Sequence, residues 1–306
     1  MRGRVPSRTA TKIARFMLLM DAEPRLRGVL PKDAAATAEA VLRSSGVVRA
    51  RHIDSMRKPS TFRLASWAER LTGRGQLLWF AVRKRWIADQ VEAAIAAGAR
   101  QLLVVGSGFD PLASVMARRH PDVLCVEVDA PVTAEPKRAG VEGAGLTRPN
   151  HHVCAADLSQ RSLGEVLRAT PWRNDARSIV VAEGLLMYLH REDVGRFFAN
   201  VREVTAVGSR VAFSSLDADE KGRPHIGALD APIRLTLKLM GEAMHWGLRP
   251  GDAPAFLAAA GYRTLEQPTP ETLRQTILEP RSLRDEPLRA YEHLVLAETA
   301  DGVAFR

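Results

Sequence analysis

Cysteine is nearly missing: the 306-residue chain holds two, Cys125 and Cys154. That is too few for a disulfide-built scaffold. Each falls in a stretch that reads as a buried strand. Two small apolar thiols in a reducing compartment are the expected state, and one disulfide is the alternative. Long hydrophobic runs are missing as well. None exceeds six residues, as in Leu77 to Val82, against the roughly 20 that a membrane-spanning helix needs. The N-terminus sets Arg2, Arg4, Arg8, Lys12 and Arg15 around and ahead of Phe16-Met17-Leu18-Leu19-Met20. That patch is too short for a signal-peptide core, and no small-residue cleavage site follows it. A cytoplasmic protein without a membrane segment is expected. No Cys/His cluster has zinc-ligand spacing, and His151-His152 stands alone, so no metal is expected.

Acidic residues are scarce in the first third. Residues 1–100 carry 20 Lys+Arg against 8 Asp+Glu, a net of +12, whereas the remaining 206 carry 24 against 27, a net of −3. A concentrated positive field can attract an anionic substrate or a nucleic acid. Here no aromatic residues interleave the basic ones as stacking platforms. The reading is therefore a solvated, arginine-rich helical cap, and no nucleic acid is expected. The rest of the composition, 46% hydrophobic and 26% charged, is that of a globular protein with a sizeable core.

Three zones follow along the chain. Residues 1–98 read as helical, with candidates at 33–43 (capped by Asp33), 62–71 and 79–97, the last closed by Gly98. From 99 to about 217, short apolar strands alternate with helices. Strands are expected at 101–105, 123–128, 152–156, 178–182 and 210–215, with helices at 111–119, 162–169 and 190–205. That alternation forces a mostly parallel sheet with right-handed crossovers. A polar stretch after Asp217 interrupts it, giving a Rossmann-like domain over 99–306 with an insertion at about 217–250. Helices are expected at 232–243 and 254–260, and closing strands at 262–267 and 293–298.

A third glycine is absent where a dinucleotide site would need it. Val104-Val105-Gly106-Ser107-Gly108-Phe109-Asp110 ends the first strand with a sharp, bare turn, but the next place is Pro111, which argues against a pyrophosphate and for a nucleoside cofactor. Asp129 closes the second strand 21 residues after Gly108, the separation at which a carboxylate accepts from ribose hydroxyls. Asp157-Leu158 follows the third strand, an acid for an exocyclic amine and an aliphatic cover for a ring face. Ala182-Glu183-Gly184-Leu185-Leu186-Met187-Tyr188-Leu189 follows the fourth. All four blocks stand at carboxyl ends of successive strands, where open α/β sheets bind ligands.

These blocks resemble the signature segments of the leucine carboxyl methyltransferase family, over about residues 60–215. The resemblance implies a class I methyltransferase fold: a seven-stranded sheet whose final strand is antiparallel, under an N-terminal helical cap. It implies S-adenosyl-L-methionine as cofactor, with Gly106 and Gly108 beneath it, Asp129 at the ribose, Asp157 and Leu158 at the adenine, and Glu183 near the methionine end. Trp79-Phe-Ala-Val-Arg-Lys-Arg is similar to the family's arginine region, which assigns a cofactor-carboxylate contact to Arg83, with Arg85 as rival. Arg49, Arg51 and Lys58 compete for a second basic contact upstream. The chain departs from the family in having Ala65-Ser66 before Trp67-Ala-Glu-Arg-Leu, where bacterial members have Asp-Pro. Tyr188 is the candidate catalytic residue and Met187 a candidate wall of the acceptor site. The expected reaction is O-methylation of a small-molecule carboxylate or hydroxyl in secondary metabolism, a nucleic-acid methyltransferase being the alternative. With no His-Asp pair at a strand end, an acceptor that needs no general base is favoured.

Overall fold

The computed structural model describes residues 8–72, 74–219, 223–225 and 243–300. Before the sheet come helices α1 (Arg8–Asp21), α2 (Ala34–Ser45), α3 (Ala50–Met56), α4 (Pro59–Thr72) and α5 (Gln76–Ala96). The sheet is built from β1 (Gln101–Val105), β2 (Leu124–Asp129), β3 (His151–Ala155), β4 (Ser178–Ala182), β5 (Arg210–Ala218), β7 (Tyr262–Glu266) and β8 (Glu292–Thr299), with the two-residue β6 (Pro224–His225) appended to the end of β5. Their order is β3-β2-β1-β4-β5-β8-β7. β1 to β5 run parallel, while β8 is antiparallel to both β5 and β7. This is the seven-strand class I arrangement with only its last strand reversed, plus a short hairpin. The helix expected over 232–243 lies outside the described residues but for its last position.

The strands form because their apolar runs can be covered on both faces. Alternate side chains sort cleanly, as a period of two requires. Leu102, Val104, Ile179, Val181, Ala212 and Leu296 point into one core, shared with α1, α2 and α5. Leu103, Val105, Val126, Val180, Val211 and Phe213 point into the other, beneath the helices over 163–167, 191–203 and 253–259. The N-terminal helices thus share a core with the sheet. No described helix is long and apolar enough to cross a membrane.

One local expectation fails, and one helix was not anticipated. Asp33 does not cap α2 through its side chain: it is left-handed (φ 67°) and makes no cap hydrogen bond. Its carboxylate instead accepts from Arg118 at 2.7 Å. A helix that the sequence hid, Pro131–Gly143 between β2 and β3, carries Pro136 in its interior. It packs with Gly140 against α2 so closely that a Cβ there would lie 2.6 Å from the Val41 carbonyl oxygen.

Candidate functional site

The turn after β1 is held by its own backbone and by β2. Gly106 donates its N–H to the Val128 carbonyl at 2.8 Å. Gly106 and Gly108 both take positive φ, 69° and 50°, and a Cβ on Gly106 would come within 2.9 Å of a Leu185 methyl. The turn therefore admits little but glycine. Gly108 donates to one oxygen of Asp129 at 2.6 Å and Ala130 donates to the other at 2.7 Å. Burial pushes the Asp129 carboxyl above its ordinary value, and these two N–H donors oppose it. After β4, Gly184 turns with φ 61° and donates to Ser214 Oγ at 2.9 Å, which brings Leu185 and the 3-10 turn Leu186–Tyr188 back over the sheet edge.

Two cavities open along this edge. The first, about 370 Å³, is walled by Phe16, Trp79, Phe80, Met187, Leu216 and Tyr291, with Arg83, Lys84, Glu183 and Glu292 at one end. The second, about 340 Å³, contains Asp157, Leu158, His190 and Phe197. Gly106, Asp129, Leu185 and Tyr188 line both. The fold therefore gathers seven of the expected residues, together with Tyr188, on one surface, and Gly108 lies in the first cavity. Asp157 is turned partly on itself, one oxygen accepting from the Ser159 N–H at 3.0 Å and its hydroxyl at 2.6 Å. Leu158 is 37% exposed.

Arg83 and Arg85 separate clearly. Arg83 is buried, donates from Nε to Glu183 at 2.7 Å and from Nη1 to Glu292, and lies over the Phe80 ring at 5.0 Å. Burial opposes its charge, but Glu292 and Glu183 outweigh that and raise it above its ordinary value. Arg85 lines neither cavity and grips both oxygens of Asp89 at 2.9 Å. Arg49, Arg51 and Lys58 are exposed and line neither. The upstream basic residue at the first cavity, among those described, is Lys12, over the Phe16 ring at 5.3 Å.

Three charged residues at this centre, Lys84, Asp110 and Glu292, escaped the sequence reading. Lys84 bonds Asp110 and lies 2.9 Å from Glu183. Its signal was adjacency to Arg83, and Asp110 stood unassigned inside the glycine block. Glu292 gave no signal. Beneath the turn, Lys137 bonds Glu127 and donates to the Asp110 carbonyl at 2.7 Å, while His151 bonds Glu127 at 2.7 Å. His151 is thus a buried partner of a carboxylate. Both cysteines are free, and burial pushes the Cys125 thiol up to about 12.

The family model described as leucine carboxyl methyltransferase matches residues 36–202, more than half of the chain. The chain belongs to the leucine carboxyl methyltransferase family. A relative from Parafrankia sp. (strain EAN1pec) is 32% identical over 190 residues, 61% of this chain and 59% of its own length. One from Mycobacterium marinum (strain ATCC BAA-535 / M) is 35% identical over 134 residues, 43% of this chain and 44% of its own. Both carry the name “Putative S-adenosyl-L-methionine-dependent methyltransferase”, and the match spans less than two thirds of either. A solved structure from Thermobifida fusca YX, named “putative methyltransferase”, superposes with a TM-score of 0.53 at 18% identity, covering 86% of this chain and 94% of that one. That likeness concerns the fold, and it is the class I methyltransferase fold.

Proposed function

We propose that this family member is an S-adenosyl-L-methionine-dependent methyltransferase that methylates a carboxylate oxygen of a small, largely apolar metabolite. One observation carries the reading: two cavities of different chemistry meet across Gly106 and Asp129. The charged end of the first suits an amino-acid group, since Arg83 offers a guanidinium to a carboxylate and Glu183 offers a carboxylate to an ammonium. Asp129 stands at the junction, where a ribose would present its hydroxyls. Asp157 and Leu158 in the second cavity suit an adenine edge and face. Unpartnered buried polar atoms fit such a ligand: Ser107 Oγ, Glu183 Oε2 and Glu292 Oε2 all belong to first-cavity residues and have no partner among the described residues. Bound there, S-adenosyl-L-methionine supplies an electrophilic methyl group on a sulfonium.

The acceptor lobe is the remainder of the first cavity, where Met187 and Leu216 pack with Tyr188, Met244 and Tyr291. Its walls come from the N-terminal helices and from the segment after β5, which we take as cap and insertion. No described histidine lines this cavity. Its acids each already accept a hydrogen bond, Asp110 from Lys84, Glu183 and Glu292 from Arg83 through one oxygen each, and Asp129 from two backbone N–H groups. An acceptor already ionised as a carboxylate needs no base to reach in-line geometry, and Lys12 at the mouth would draw it in. Tyr188, lining both cavities, is placed to orient the acceptor oxygen. We place this activity in secondary metabolism and in the cytoplasm, where the two free thiols stay reduced.

The test is a methyl-transfer screen over apolar carboxylates, phenols and thioethers with S-adenosyl-L-methionine as donor. Turnover with a carboxylate is the expected result. Turnover confined to phenols or to nucleic acid refutes the acceptor assignment, and binding of NADH in place of any adenosyl ligand refutes the cofactor assignment.

A further inference from the structure

Arg83, Lys84, Asp110, Glu183 and Glu292 form a single buried cluster, with side chains 4, 9, 13, 5 and 8% exposed. Arg83 joins Glu183 to Glu292, and Lys84 joins Glu183 to Asp110. Among the described residues three carboxylates face two cations, so one negative charge is left over. An uncompensated buried carboxylate is strongly disfavoured, because it has given up water without gaining a counter-ion. The shortage also shows in hydrogen bonding. Glu183 Oε2 and Glu292 Oε2 are both buried and without a partner among the described residues. The cluster is short of one cation carrying N–H donors.

The fold puts this deficit at a particular place. Glu292 is the first residue of β8, opposite Leu216 near the carboxyl end of β5, because β8 runs antiparallel and so begins where the parallel strands stop. It lines the first cavity beside Tyr291, on the far side of Gly106 from Asp157. A primary ammonium has three donors, enough for both free carboxylate oxygens. Arg83 uses Nε and Nη1 on the two glutamates, which leaves Nη2 outside both pairs for an anion.

We propose that Glu292 is a ligand-binding residue whose free carboxylate oxygen takes the ammonium of the amino-acid end of S-adenosyl-L-methionine. This rests on the cofactor reading above. Glu292 then completes, with Glu183 and Arg83, a cradle for an α-amino-acid zwitterion, and the ligand's ammonium supplies the positive charge that balances the cluster.

Isothermal titration of wild type and Glu292→Gln with three ligands tests it: S-adenosylhomocysteine, its deamino analogue, and 5′-methylthioadenosine. The expected result is a loss of about tenfold or more for S-adenosylhomocysteine, the size of a charge-assisted hydrogen bond. The other two ligands, which lack the ammonium, should bind both proteins alike. Unchanged S-adenosylhomocysteine affinity overturns the proposal. An equal loss for the deamino analogue also overturns it, since Glu292 would then act only by holding Arg83. Should Glu292→Gln fail to fold, wild type alone decides: equal affinity for S-adenosylhomocysteine and its deamino analogue refutes the ammonium site. Wild type that binds no adenosyl ligand refutes the cofactor reading together with this one.

Discussion

Replacing Lys137 by methionine keeps the volume of a buried, nearly straight side chain and removes its charge. In the native protein the Lys137 ammonium lies against Glu127 and the Asp110 carbonyl, with Lys137 and Glu127 side chains each 1% exposed. Burial alone would raise the Glu127 carboxyl. Lys137, and then the His151 hydrogen bond, outweigh it and hold the group at about 2 against an ordinary 4.5. Removing one partner of a buried pair costs about 3–5 kcal/mol. At about 2–4 °C per kcal/mol for larger domains, that is a fall in Tm of roughly 6–20 °C. The sign of the pH dependence follows. A depressed carboxylate contributes stability that is present above its ordinary value and is lost as pH falls towards 2. In Lys137→Met burial dominates and Glu127 takes up a proton, so the variant gains nothing from higher pH there. Thermal unfolding by circular dichroism should show the full gap at pH 7, a narrower one near pH 3.5 and a small one only as the pH approaches 2, and Glu127→Gln/Lys137→Met should recover part of the loss. A gap under about 2 °C, equal at every pH, would refute the claim that Glu127 is a buried anion.

Other expectations are more local. Gly106→Ala should lose adenosyl-ligand binding by about tenfold or more and stability by about 1–2 kcal/mol, because φ is 69° and the new Cβ meets Leu185; normal titration and melting curves would contradict this. Tyr188→Phe should lower kcat with little change in the cofactor's KM, since the ring remains and the hydroxyl is lost; an unaltered kcat removes it from the acceptor site. Under native conditions a thiol reagent should modify Cys154 before Cys125, whose thiol burial holds near 12; peptide mass mapping reads the order.

The sheet was legible because Leu102 to Val105 and Ile179 to Ala182 are continuous apolar runs bounded by turns, and both faces of such strands are covered. The helix over 131–143 was not. Pro136, Gly140 and Gly143 have low helix propensity, and the helix packs where Gly140 approaches Val41, a tertiary fact. The third strand was placed one residue late, at 152–156 where it occupies 151–155. That left His151 outside the strand, and its contact with Glu127 depends on the pairing of β3 with β2, which sequence spacing does not give. At the site, the motif residues at strand ends were readable because each lies beside its strand in sequence. The Arg83–Glu292 contact was not, since 209 residues separate the two and only the antiparallel entry of the last strand brings them together.

Isothermal titration of S-adenosyl-L-methionine into wild type and into Asp129→Ala tests the central claim most directly. The account predicts saturable one-to-one binding to wild type, weakened about tenfold or more in a variant that still melts cooperatively. Equal affinity for the two folded proteins, or no binding to wild type, would contradict it.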